Sequence, residues 1–114
     1  MTDHRNTDSI YAQQVNINSI RNKKEEVKII LDQYKFQGKK VILLINDTRL
    51  NSQENLNFDG FYSVRKDLER NMTNNTHSPG GVLAIIPNSI TTKEIQEFRD
   101  LGIETIGLEL SHKN

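Results

Sequence analysis

The sequence predicts a small α/β domain: a three- to four-stranded, mainly parallel sheet with helices packed on it. Three observations carry that prediction. The runs Val41–Ile45 and Val82–Ile86 are continuously apolar and rich in β-branched residues, as strands covered on both faces are. A third run, Ile103–Leu110, alternates in its outer part like an edge strand. The stretches between them place apolar residues at helical spacing, and strands separated by helices form parallel βαβ units.

Taken in order, residues 1–9 are polar and unpatterned and read as a disordered tail, followed by a single domain over 10–110 and a short tail at 111–114. In Ile10–Asn18, Val15 and Ile17 alternate with Asn, a pattern open to either a short edge strand or coil. Asn18 or Ser19 is placed to cap a helix whose apolar stripe is Ile20, Val27, Ile30, Leu31 and Tyr34, with Gly38 as the residue just past its end. After Val41–Ile45 comes a long polar stretch, Thr48–Asn57, of the kind that tends to be functional or mobile. Asp59 then reads as the cap of a second helix with a stripe of Phe61, Val64, Leu68 and Met72. Asn74–Gly81 is rich in turn residues and leads into Val82–Ile86, which Pro87 ends. Thr91-Thr92-Lys93-Glu94 has the spacing of a capping box, with Ile90 stapling onto Ile95 and with Phe98 and Leu101 on the buried face of a third helix.

Composition narrows the function classes. Acidic and basic residues balance at 15 each, which gives no electrostatic footprint for nucleic acid or an anionic membrane. With no cysteine, thiolate metal sites and cysteine nucleophiles are excluded. The start of the chain has no apolar segment after a basic one, and no apolar run reaches membrane length, so the expectation is a cytoplasmic protein.

In a parallel sheet, ligands gather outside the carboxyl ends of the strands. That edge is expected to collect Asp47, Thr48 and Arg49 after one strand, Asn88 and Ser89 after the next, and Asp59 at the helix start between them. Two carboxylates in one cleft suit a divalent cation or an acid/base pair. The plainer expectation is that Asp59 caps a helix and Asp47 bonds loop amides. No glycine-rich phosphate motif follows the first strand, and the three histidines lack a partner at helical spacing.

The order of elements from Ile20 to Leu110 resembles the STAS family, the anti-sigma-factor-antagonist type of α/β module. Phe58-Asp59-Gly60-Phe61 stands where that family has the turn opening its regulated helix, and Thr92–Gly102 is similar to the family's last helix. No serine follows Asp59 directly, so the family's phosphorylation site has no counterpart. The resemblance implies a non-enzymatic regulatory module that needs no cofactor and binds another protein or itself. The alternatives are a metal-dependent hydrolase or nuclease using Asp47 and Asp59, or a receiver-like or nucleotide-sensing domain.

Overall fold

The computed structural model describes residues 9–51, 53–67, 80–101 and 105–112. Its elements run β1 (Ile10–Asn16), α1 (Lys24–Phe36), β2 (Lys40–Asn46), β3 (Phe61–Lys66), β4 (Val82–Pro87), β5 (Ile90–Glu94), α2 (Gln96–Arg99) and β6 (Leu108–His112). The four-stranded sheet has the order β1-β2-β4-β3, and β5 and β6 form a separate antiparallel pair.

This corrects the expected mainly parallel βαβαβ sheet. Only β1 and β2 are parallel; β4 runs antiparallel to both β2 and β3. The reason lies in residues 61–66, read from sequence as a helix opened by Asp59. Their helical spacing of Phe61 and Val64 is equally a strand pattern, in which Phe61, Ser63 and Arg65 share one face and Tyr62, Val64 and Lys66 the other. Register with β4 (Tyr62 opposite Ile86, Val64 opposite Ala84) packs Tyr62 and Val64, partly buried, against the second core. Leu68 and Met72 of the expected stripe, and most of the Asn74–Gly81 turn, lie outside the described residues. With β3 rather than a helix after β2, β4 returns between them in the opposite direction.

The last expected helix is corrected too. Thr91–Glu94 belongs to β5, where inward and outward positions alternate and pairing runs from Ile90–His112 to Glu94–Leu108. Glu94 pairs with Arg99 instead of reaching back to a cap. What remains helical is the single turn α2, and Phe98 is 43% exposed rather than core. Its ring rests on Gly107, where a Cβ would come within 2.2 Å of it. β6 also continues through Ser111 and His112, which sequence placed in a tail.

Helix α1 is as expected in its stripe from Val27 to Tyr34 but not in its start, since Ile20, the expected first stripe residue, lies before the helix and is buried from the preceding loop. Val27 and Leu31 are buried, with Ile30 and Tyr34 packed beside them. Asn18 and Ser19 cap nothing: both have positive φ (52° and 83°), and an N-cap needs extended backbone. They carry β1 onward instead, with the Ser19 and Ile20 N–H groups bonded to the Asp47 and Thr48 carbonyls at 2.8 and 3.1 Å. Gly38 ends the helix as expected. It is left-handed (φ 70°), and the Gly38→Lys35 and Lys39→Tyr34 backbone bonds form a Schellman motif.

The core is two-layered. Val41, Leu43 and Ile45 face α1 together with Leu83 and Ile85, and the irregular stretch after β2 closes that side with Leu50, Leu56 and Phe58. On the opposite face Ile42, Ala84 and Ile86 meet Ile90, Ile106 and Leu108. β4 is apolar throughout because both of its faces are covered, and β2 nearly so, with Leu44 left exposed on its second face.

Candidate functional site

The expected site residues divide between the two ends of the sheet. Asp47, Thr48 and Arg49 follow β2 at one end, beside Gly80 and Gly81. Asp59, Asn88 and Ser89 lie at the other, where the Asn88 N–H donates to the Gly60 carbonyl at 3.0 Å. The antiparallel β4 explains the separation, because its carboxyl end points away from that of β2. Asn46 is opposite Val82, whereas Phe61, just after Asp59, is opposite Pro87. The two carboxylates are thus about 17 Å apart along β4. Asp47 and Asp59 share no cleft, and the alternative of metal-dependent chemistry, which needed one, loses its geometry. Among the described residues no group of three or more acidic or histidine side chains is placed to hold a metal ion.

Each end has a structural explanation. Asp47 Oδ1 accepts the Gly80 N–H at 2.7 Å, and the Arg49 guanidinium bonds both carboxylate oxygens at 3.2 Å. The Arg49 bond, then the Gly80 N–H, holds the Asp47 carboxyl below its ordinary range. Thr48 is buried against Gly81, whose φ of 97° and lack of a Cβ allow the close approach. At the far end Asp59 caps no helix, contrary to expectation. It sits in the turn closed by the Phe61 N–H on the Phe58 carbonyl, facing Lys28 and Lys35 across an open groove of about 250 Å³.

A different place combines an open backbone with shaped surface. β1 is the outer strand of the sheet, and no described strand pairs with its other side. The Ile17 N–H donates to the Asn46 carbonyl at 3.2 Å, continuing the parallel ladder. By the alternation of that ladder, odd-numbered residues of β1 bond β2, while Ala12 and Gln14 turn their N–H and C=O groups outward. Between this edge and α1 lies an open groove of about 320 Å³ walled by Tyr11, Gln13, Ile30, Tyr34 and Lys39, among others. The Tyr11 and Tyr34 rings sit 6.0 Å apart, and the Tyr34 hydroxyl donates to Gln13 Oε1 at 2.7 Å. The Schellman turn carries Lys39 over the Tyr11 ring, 5.1 Å from its centroid.

Sequence reasoning missed these residues as a site. Tyr34 was visible only as core, and β1 only as doubtful. The available signal was that Ile10–Asn16 contains no charge and no proline, the two devices that usually blunt an edge.

No family model matches the chain, and neither a curated protein nor a solved structure matches it. The turn likened to the STAS family leads into β3 and opens no helix. Among the described residues no helix is long and apolar enough to cross a membrane.

Proposed function

We propose that this chain is a non-enzymatic binding module whose ligand is another protein, taken up as an added strand on β1. The observation that supports the reading is the β1 edge: seven residues, uncharged, with outward-facing backbone groups and a side-chain-lined groove alongside. Strand addition draws affinity from backbone hydrogen bonds and specificity from pockets for alternate side chains. The outward backbone of β1 and the groove beside it support both parts, whereas Asp47 is bonded within its own turn and Asp59 lies at the other end of the sheet.

The test is a random-peptide display selection against the whole chain, followed by hydrogen exchange of the complex. Selected peptides are expected to slow exchange at the Ala12 and Gln14 amides. Binders that leave both amides unchanged would overturn the reading.

A further inference from the structure

The groove beside β1 is polar as well as apolar, and its charge is one-sided. Of its seven lining residues (Tyr11, Gln13, Ile30, Gln33, Tyr34, Gln37, Lys39), one is cationic and none is acidic. Lys39 forms no ion pair among the described residues; its ammonium lies over the Tyr11 ring and the open mouth of the groove. A cation so placed favours an anion on the ligand.

Strand direction tells which part of a ligand arrives there. Ile10 is in register with Lys40, so the Lys39 backbone lies on the β2 side of β1, level with Ser9, and its side chain reaches over the Tyr11 ring of β1 toward the free edge. A strand added antiparallel to β1 starts near Asn16 and finishes at Ile10. Its carboxyl terminus therefore arrives beside Lys39, while alternate side chains enter the groove between β1 and α1. A strand added parallel would bring its amino terminus to the same cation, an unfavourable pairing of like charges.

We infer that β1 and α1 together capture the extended carboxyl-terminal segment of a partner protein, paired antiparallel to β1 with its terminal carboxylate held by Lys39. This rests on the strand-addition reading above. The ligand's backbone bonds the outward groups of Ala12 and Gln14. Its groove-side residues meet the Tyr11 and Tyr34 rings and the Gln13 amide, which favours aromatic, aliphatic or amide side chains over acidic or basic ones.

The experiment compares two octapeptide display libraries selected against the whole chain, one with a free carboxyl terminus and one tethered through it. Fluorescence anisotropy then follows the selected sequences, made as C-terminal acid and as amide, with wild type, Lys39→Gln and Ala12→Pro. Because proline at 12 removes only an outward N–H, Ala12→Pro retains the β1–β2 ladder. Acid peptides N-methylated at alternate residues repeat that arm without altering the protein.

Binders are expected from the free-carboxylate library. Amidation is expected to weaken them about tenfold or more in wild type, and to change little in Lys39→Gln. Ala12→Pro and N-methylation are each expected to abolish binding. Acid and amide forms binding wild type alike, or binders recovered equally from the tethered library, would overturn the carboxylate inference and leave strand addition standing. If neither library yields a binder sensitive to Ala12→Pro or N-methylation, both fall. A chain that dimerises in sedimentation equilibrium with Ala12 and Gln14 protected would give the edge to a second copy and overturn the proposal.

Discussion

The two edges of the four-stranded sheet are treated in opposite ways. β3 is partly covered by the layer that follows it. The Arg99 guanidinium donates to the Arg65 carbonyl at 2.7 Å and pairs with Glu94, while Lys66 Nζ donates to the Arg99 and Leu101 carbonyls at 2.8 Å. The Tyr62 hydroxyl donates to the Ile90 carbonyl at 2.6 Å and lies 3.0 Å from the Thr92 hydroxyl. β1 has no comparable cover among the described residues, and its uncharged sequence does not repel a second strand. An edge that carries Arg65 and Lys66 and has its Arg65 carbonyl bonded is guarded against stray pairing; one left open and neutral is available for it. The contrast within one sheet is what supports the proposal that β1 is a docking strand.

The largest effect should come from the strand that supports both edges. Leu43 is fully buried at the centre of β2, and Leu43→Ala should cost about 2–5 kcal/mol in denaturant unfolding. Both edges should melt together; separate transitions would show that they belong to independent units.

Proline scanning sharpens the contrast at β1 itself. Gln13 bonds inward to β2 and also accepts the Tyr34 hydroxyl, so Gln13→Pro should lose about 1–3 kcal/mol. Ala12→Pro, one residue away, should stay within about 1 kcal/mol of wild type. Equal losses at the two positions would mean that the strand's outward side is already paired.

At the closed edge, Arg99→Ala removes the guanidinium shared by Glu94 and the Arg65 carbonyl. The pair is partly exposed, so the loss should be modest, about 1 kcal/mol. Its sharper signature is local: faster hydrogen exchange in β3 and none in β1.

The smallest effect belongs to Asp47, at the end of β2 between the two edges. Its folded carboxyl titrates below the ordinary 3.8, so its stabilisation is complete above that value and disappears as pH falls through the lower folded one. Asp47→Asn keeps an oxygen for the Gly80 N–H and tolerates the positive φ of 60°. It should therefore change neutral-pH stability by less than about 1 kcal/mol. In acid titrations of stability it should flatten the decline below pH 3.8, and an unchanged acid limb would refute the assignment.

Much of the interior was legible from the residues alone. Val41–Ile45 and Val82–Ile86 read as strands covered on both faces, because five successive apolar residues leave little face for water, and only Leu44 stays exposed. The stripe from Val27 to Tyr34, ended by Gly38, had to be a helix lying on them, because one face was apolar and the next residue could turn left-handed. Other segments were ambiguous in principle. Phe61–Lys66 and Ile90–Glu94 are short enough that a helical and a strand reading fit the same apolar positions; hydrogen bonds to β4 and β6, remote in sequence, made them strands. The direction of β4 followed from β3, and with it the separation of Asp47 from Asp59. Periodicity records which side of a segment is apolar, and the neighbour that covers that side is chosen only when the chain folds. The exposed backbone of β1 was likewise decided by tertiary structure, since a strand is at an edge only by virtue of where the others lie.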